Sequence, residues 1–234
     1  MKVEFTARPE AERATALMAA ETRGFALLDA IEAELLRPGI GEKALEEEIR
    51  TLAAERFGAT KHWHKRIVRS GPNTLCVYDE NPPDRVIGAD DIVFIDIGPV
   101  FDGWEADVGR TLVLGDDPLK HRLLADMAAA FEEGRRHFNA TPGLTGREFY
   151  RYIQGLAEQR GWTFGGTIAG HIVGEFPHKH LPGTRESFYI SPENTAPMDA
   201  PDALGQRQHW ILEIHFIDRR HGFGGFMESL ITLE

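Results

Sequence analysis

The chain has 234 residues, with 26 basic and 37 acidic side chains, a formal net charge of −11 and a pI near 5.4. This acidic balance argues against a nucleic acid or an anionic membrane as partner, since both usually require a basic face. No apolar run approaches the length of a membrane span, and the N-terminus lacks the apolar core of a signal peptide. The single cysteine, Cys76, excludes an internal disulfide framework, so we expect a cytoplasmic protein.

Hydrophobic periodicity predicts a first half made of two helices and short strands. The helices cover residues 11–36 and about 41–57, and Gly58 supplies the C-cap of the second. Runs of β-branched and apolar residues predict strands over 66–69, 74–78, 92–97 and 104–114. Cys76 lies in the strand-like run TLCVY, where we interpret it as a small core residue.

The second half repeats this order. One helix begins at Asp117-Pro118, and another begins with the capping box from Thr145 to Glu148. Strands are predicted over 210–217 and 227–233. We therefore expect one α+β domain over 1–234, with halves of about 1–115 and 116–234 related by a pseudo-twofold axis.

Two acidic residues of the first half lie in apolar strands joined by a tight turn. Asp102-Gly103 predicts a two-residue hairpin turn, because both central positions of that turn need positive φ. This register places Asp96 opposite Gly109 and Asp107 opposite Gly98, with all four on one face. The carboxylates are then diagonal neighbours, roughly 7–8 Å apart at the backbone. The hairpin forms a two-carboxylate platform for a cation.

The second half also embeds acids in apolar runs, at Glu213 and Glu228. If these residues pair in an antiparallel hairpin, its turn centres near residues 220–221. Each acid alone is explained by a strand-end cap or a buried ion pair. Four buried like charges would raise one another's pKa values unless a cation neutralised them. Carboxylate sets with one imidazole suit dinuclear Mn²⁺, Co²⁺, Fe²⁺ or Zn²⁺ centres.

The first candidate for the imidazole is His171, which glycines flank in the run IAGHIVG. His178 follows in a predicted loop. His62 and His64 are two residues apart and share a face if they lie in a strand, and His215 shares the face of Glu213. For each of these histidines a packed or solvent-facing ring is the alternative.

The acids and His171, in this order, resemble the five metal ligands of the pita-bread (creatinase/aminopeptidase-like) metallopeptidases. That family includes methionine aminopeptidase, aminopeptidase P and prolidase. The resemblance runs from about Lys65 to the C-terminus and includes the segments 70–73, 106–111 and 170–171. It implies the pita-bread fold, in which two pseudo-twofold-related helix-helix-strand halves surround a curved antiparallel sheet.

The resemblance also implies roles for individual residues. Asp107 and Glu228 would bridge two divalent ions, Asp96 would chelate one of them, and His171 and Glu213 would hold the other. Glu213 would also relay the proton of the attacking water, and His178 would contact the substrate.

The sequence departs from the family near the substrate side. Where the family usually carries a histidine after the Ser-Gly-x-Asn segment, this chain has Tyr78 or Asp79, so His62 or His64 is a candidate replacement. Ile214 replaces a common proline, and the arginine usual near the last glutamate is absent. The candidate substrate-binding residues are therefore His178, His62, His64 and Tyr78.

The resemblance implies a metallopeptidase that removes an N-terminal residue or cleaves an Xaa-Pro peptide. One alternative is hydrolysis of a non-peptide C–N bond in a small amide, and another is a binding protein without activity. The resemblance covers a catalytic domain without the usual N-terminal domain, and the surface this leaves suits a homodimer.

Overall fold

The computed structural model describes residues 6–178 and 184–233. The first half begins with the helices α1 (Glu10–Glu34) and α2 (Glu42–Phe57). Its strands are β1 (Ile67–Ser70), β2 (Ile92–Ile97), β3 (Val100–Phe101), β4 (Trp104–Glu105) and β5 (Val108–Val113).

The second half begins with α3 (Pro118–Ala140) and α4 (Gly146–Gln159). Its strands are β6 (Thr163–Phe164), β7 (Ile172–Val173), β8 (His209–Asp218) and β9 (Phe223–Leu230). The order of helices before strands therefore occurs twice, as predicted. Within the ranges described, none of the helices combines the length and apolar character needed to cross a bilayer.

The helix ends follow the signals in the sequence. The side chain of Asp117 accepts a hydrogen bond from Leu119 N at 2.8 Å, with Pro118 at the first helical position. Thr145 and Glu148 form both bonds of a capping box at the start of α4. Gly58 ends α2 in the left-handed conformation, with φ of 69°. Local chemistry alone fixes these three boundaries.

One antiparallel sheet joins the two halves. Its strand order is β1-β2-β5-β9-β8-β6, and β7 pairs with β8 beside this path. The halves meet where Gly109 on β5 pairs with Glu228 on β9. The centre of the sheet is therefore also the place where the acids of both halves come together.

Alternation along the strands separates a core face from a cavity face. On β2, Val93, Ile95 and Ile97 pack in the cluster that contains α1 and α2, whereas Phe94 and Asp96 line a cavity. On β8, the even-numbered residues 212, 214 and 216 pack in the cluster of α3 and α4, whereas Glu213 and His215 line the same cavity. The helices thus cover one face of the sheet and leave the acids on the other.

Three predicted strands differ from the structure. The strand predicted over 74–78 is wrong, because a 3₁₀ helix covers Gly71–Leu75 and irregular chain follows it. Cys76 accordingly is only partly buried and lines the cavity, rather than lying in the core. The run 104–114 is interrupted at residues 106–107, and the last strand ends at Leu230 instead of continuing to 233.

Candidate metal centre

The first-half hairpin has the predicted turn and the predicted pairing of Asp96 with Gly109, whereas Gly98 and Asp107 lie between the paired strand segments. Asp102 and Gly103 have φ of 52° and 86°, and β2 pairs Asp96 with Gly109. Asp107 lies at the break between β4 and β5. The side chains of Asp96 and Asp107 are 9% and 1% exposed, so both carboxylates are buried beside each other.

The second-half acids meet this hairpin through the sheet. Glu213 pairs directly with Glu228, which places the β8–β9 turn near residues 220–221, as predicted. Because Glu228 also pairs with Gly109, its neighbour across β5 on the other side is Asp96. All four carboxylates line one cavity of about 710 Å³.

Glycines clear the space beside these carboxylates, as expected from the sequence. A Cβ on Gly109 would lie 2.8 Å from Phe226 and 3.1 Å from Glu228. A Cβ on Gly98 would lie 2.2 Å from the ring of His64 and 2.4 Å from Trp63 Nε1. Side chains of this chain therefore fill the space that each glycine leaves.

His171 joins the acids from the start of β7. Its Nε2 lies 3.0 Å from Asp107 Oδ2 and 3.8 Å from Glu213 Oε1, and its Nδ1 contacts Ile172 O at 2.7 Å. The preceding Gly170 has φ of 135°, and a Cβ there would lie 2.2 Å from Ile211 O. Only glycine therefore allows the approach that brings His171 to the acids.

The structure separates the two histidines that precede β1. His64 lines the cavity, with Nε2 3.1 Å from Asp107 Oδ1 and 3.4 Å from Asp96 Oδ1. His62 is outside the cavity lining and forms an isolated bridge with Pro99. Residues 62–64 do not lie in a strand, so the expected shared face does not form.

His178 lines the cavity and is held by an acid that sequence reasoning missed. Glu105, which is 2% exposed, accepts a hydrogen bond from His178 N at 3.0 Å and contacts His178 Nδ1 at 2.5 Å. Tyr78 is 48% exposed at the cavity rim, with its ring centroid 6.0 Å from that of His64. A signal for Glu105 existed in the sequence, since it is one more acid in the same hairpin.

Trp63 contacts three of the imidazoles that line the cavity. Its ring makes edge contacts with those of His64, His171 and His178, at centroid distances of 4.4, 5.0 and 5.0 Å. Its Nε1 donates to Ala106 O at 3.3 Å, which connects the indole to the hairpin. Trp63 also was not among the residues expected from the sequence.

Burial and mutual repulsion raise the pKa values of three of the four acids. Burial, followed by the charges of Asp107 and Asp96, raises the pKa of Glu228 well above 4.5. Burial and the same two charges, against the attraction of His171, raise the pKa of Glu213 to about 8. Burial also raises the pKa of Asp96, although His64 opposes this shift. The protein alone therefore does not stabilise all four carboxylates in the ionised form, and a bound cation would do so.

The acids in turn raise the pKa values of His64 and His171. Burial disfavours the charged form of His64, but the charge of Asp96 and the hydrogen bond to Asp107 outweigh burial and raise its pKa to about 9. Asp107 likewise outweighs burial at His171 and raises its pKa to about 9. Between these rings the pKa of Asp107 is lowered, despite its burial.

The polar atoms of the cluster fit a bound cation. Among the described residues, Asp96 Oδ1, Asp107 Oδ2 and Glu228 Oε1 are buried without a hydrogen-bond donor. His64, Asp96 and Asp107 each offer a ligand atom within 4.8 Å of the others. Carboxylate and imidazole donors suit first-row divalent metals. These residues could hold a divalent ion.

Comparison with solved structures identifies the fold. The chain superimposes on a prolidase from Thermococcus sibiricus with a TM-score of 0.73 and 23% identity, covering 94% of this chain and 56% of that one. An X-Pro aminopeptidase from Thermotoga maritima MSB8 gives a TM-score of 0.73 and 19% identity, with coverage of 97% and 62%. The expected pita-bread fold is confirmed by these similarities.

Comparison of sequences identifies the family. A methionine aminopeptidase of Staphylococcus epidermidis is 27% identical over 152 residues, which cover 62% of this chain and 59% of that protein. Methionine aminopeptidase 2 of Bacillus subtilis is 28% identical over 148 residues, with coverage of 61% and 58%. The chain thus spans less than two thirds of the length of these relatives. The model of metallopeptidase family M24 matches residues 16–204. The predicted resemblance is confirmed, and the chain belongs to metallopeptidase family M24.

Proposed function

We propose that this chain is a peptidase with two divalent metal ions, which removes an N-terminal residue or cleaves an Xaa-Pro peptide bond. The observation that carries the proposal is the position of Asp107. One of its carboxylate oxygens lies 3.1 Å from Nε2 of His64, and the other lies 3.0 Å from Nε2 of His171. Asp96 offers a ligand atom within 4.8 Å of those of His64 and Asp107. A carboxylate with a different ligand group at each oxygen is suited to bridging two ions.

In this proposal Asp107 and Glu228 would hold both ions, Asp96 would hold one of them, and His171 and Glu213 would hold the other. Divalent ions bound by this set would activate water and polarise a carbonyl group. The donor set suits Mn²⁺, Co²⁺, Fe²⁺ or Zn²⁺.

Two residues would act on protons and hydrogen bonds beside the ions. Glu213, whose Oε1 lies 3.8 Å from His171 Nε2, would accept a proton from water and return it to the leaving amine. His178, held through Nδ1 by Glu105, leaves Nε2 as the ring nitrogen available to a substrate peptide. There Nε2 would accept a hydrogen bond from a substrate N–H and so orient the scissile peptide.

The cavity supports a small peptide as substrate. Its apolar lining includes Phe94, Phe226 and Tyr78, and its volume of about 710 Å³ lies in the range of small-molecule sites. The X-Pro aminopeptidase and prolidase with similar folds motivate the proline preference, and the methionine aminopeptidases motivate the N-terminal one.

The segment 76–79 favours a second candidate, hydrolysis of a non-peptide C–N bond in a small amide. Cys76, Tyr78 and Asp79 line the cavity on this irregular segment, where the resembled family carries a histidine. Different side chains on this part of the cavity lining would select a different substrate for the same metal centre.

The proposal extends to the domain organisation, the oligomeric state and the location of the protein. We propose that residues 1–234 act as one catalytic domain, with halves of about 1–115 and 116–234. A homodimer and a cytoplasmic location complete this proposal, on the expectations drawn from the sequence.

The proposal is tested by metal content and peptide hydrolysis. Purified protein is supplied in turn with Mn²⁺, Co²⁺, Fe²⁺ and Zn²⁺ and assayed on peptides with N-terminal methionine, on Xaa-Pro dipeptides and on small amides. We expect two bound ions per chain, peptide cleavage, and loss of both in Asp107→Ala. Asp116→Ala, at an exposed position, is the matched control. Wild-type protein without bound metal, or Asp107→Ala with unchanged activity, would contradict the proposal.

A further inference from the structure

His64 and His171 occupy equivalent positions on the two sides of Asp107. His171 Nε2 lies 3.0 Å from Asp107 Oδ2, and His64 Nε2 lies 3.1 Å from Asp107 Oδ1. Each ring then faces one further acid, Glu213 for His171 at 3.8 Å and Asp96 for His64 at 3.4 Å. Each side of Asp107 therefore has one histidine and one further acid.

The other ring nitrogen is fixed in the same way in both histidines. Nδ1 of His64 contacts Lys65 O at 2.6 Å, and Nδ1 of His171 contacts Ile172 O at 2.7 Å. A carbonyl oxygen accepts a hydrogen bond only from a protonated nitrogen, so each ring carries a hydrogen on Nδ1. In the neutral ring, which is the form that binds a metal, the lone pair of Nε2 then points at the acids. In metal-binding histidines the ring nitrogen that does not bind the metal usually donates to such a carbonyl oxygen, which fixes the tautomer and the orientation of the ring.

The surrounding packing holds His64 in this position. Its side chain is only 5% exposed, and its ring makes an edge contact with Trp63 at 4.4 Å. The ring occupies the space left by Gly98, where a Cβ would overlap it. A surface ion pair would not need a cleared backbone position or a second nitrogen anchored to a carbonyl.

We propose that His64 is a further ligand of the ion held by Asp96 and Asp107. This inference rests on the proposed metal centre and adds a residue of this chain to it. Imidazole is a softer donor than carboxylate. The site at Asp96 therefore takes Co²⁺, Fe²⁺ or Zn²⁺ in preference to Mn²⁺, which favours oxygen donors.

The experiment compares His64→Ala with His62→Ala. His62 is a matched control, because it precedes His64 by two residues and lies outside the cavity lining. Calorimetric titration of metal-free protein with Co²⁺ gives the number of ions and their affinities, and the visible absorption of Co²⁺ reports its ligands. We expect two ions in wild type and His62→Ala. In His64→Ala, we expect one ion to bind about 10- to 100-fold more weakly and the visible absorption of Co²⁺ to change.

His64→Gln keeps a polar side chain of similar length and provides a second variant if His64→Ala fails to fold. Two ions with unchanged affinity and spectrum in either folded variant would overturn the role of His64 while leaving the proposed function in place. Wild-type protein that binds no ion would overturn both. Loss of both ions in Asp107→Ala, together with weaker binding of one ion in His64→Ala, would support the proposed function and the role of His64.

Discussion

Glu105 contacts His178 twice, through one carboxylate oxygen at the backbone nitrogen (3.0 Å) and through the other at Nδ1 (2.5 Å). Both residues are buried, at 2% and 5% exposure. The double contact fixes the position of the segment and the orientation of the ring at once. It follows that Glu105 determines which nitrogen of His178 faces a substrate.

Glu105→Gln separates these two effects. The amide oxygen can still accept the hydrogen bond of the backbone nitrogen, but the amide NH₂ then meets Nδ1 and favours the other tautomer. Nε2 then carries the hydrogen and no longer accepts a hydrogen bond from a substrate N–H, so we expect kcat/KM to fall about 10- to 100-fold. Steady-state kinetics on the best substrate measures this.

A cycle with His178→Ala gives the control. If Glu105 acts only through His178, the double variant is no slower than His178→Ala, and Glu105→Asp restores part of the rate. Additive losses in the double variant would show that Glu105 has a separate, structural role.

Gly98 keeps His64 and Trp63 beside the acids, so Gly98→Ala should displace both rings. The added Cβ would lie 2.2 Å from His64 and 2.4 Å from Trp63 Nε1. We expect a loss of about 1–3 kcal/mol in the free energy of unfolding, from overpacking, together with weaker metal binding. Urea unfolding and metal titration measure the two effects.

Gly155→Ala is the matched control for this substitution. Gly155 lies in α4, and the nearest atom to its added Cβ is 3.9 Å away, on Gln159. Alanine should therefore stabilise the helix by about 0.5–1 kcal/mol and leave metal binding unchanged. Equal behaviour of the two variants would contradict the steric argument.

The first hairpin of the site was predictable because local chemistry sets its register. Asp102-Gly103 fixes the turn, and the period of two then brings Asp96 beside Gly109. For the second hairpin, only a condition followed from the sequence: if Glu213 pairs with Glu228, the turn lies near 220–221. The structure has this pairing, but no turn signal in the sequence required it.

The rest of the site depends on contacts between distant residues. Glu42 accepts hydrogen bonds from Ser70 and Asn73, and His215 contacts Thr74 O at 2.9 Å, so remote groups and not strand propensity decide the 3₁₀ helix at 71–75. His64 rather than His62 enters the cavity because irregular chain, without a period of two, precedes β1. Patterns of the local sequence do not contain such information.

Arg69 fixes the cavity wall formed by residues 76–80. Its guanidinium donates to the carbonyl oxygens of Cys76, Val77 (2.8 Å) and Glu80 (2.7 Å). Lysine keeps the charge but loses the planar fork, so Arg69→Lys cannot make all three bonds. We expect KM to rise about 10-fold, because one or two hydrogen bonds that hold the segment are lost, with a smaller change in kcat.

Arg56→Lys is the control for Arg69→Lys, because Arg56 is exposed and pairs with Glu34 away from the cavity. Steady-state kinetics and limited proteolysis of the wall segment compare the two variants. An unchanged KM and unchanged proteolysis in Arg69→Lys would show that the wall holds its conformation without Arg69.

Glu21 provides a prediction on stability and pH, because it joins α1 to β9 from a partly buried position. Its Oε1 accepts hydrogen bonds from Ser229 Oγ and Leu230 N, both at 2.7 Å. Burial raises the pKa of Glu21 above 4.5, although these two bonds partly oppose the shift. The folded state therefore binds this proton more tightly than the unfolded state does, and stability is lost as the pH rises through the raised pKa.

Glu21→Gln keeps the acceptor oxygen and removes the charge. We expect the variant to be more stable than wild type in urea unfolding at pH 8, with the difference shrinking toward pH 4, where wild-type Glu21 is protonated in both states. Glu12→Gln, on the exposed face of the same helix, should show little difference at either pH. A stability difference for Glu21→Gln that stays constant between pH 4 and pH 8 would show that the buried carboxyl group does not titrate differently in the folded and unfolded chains.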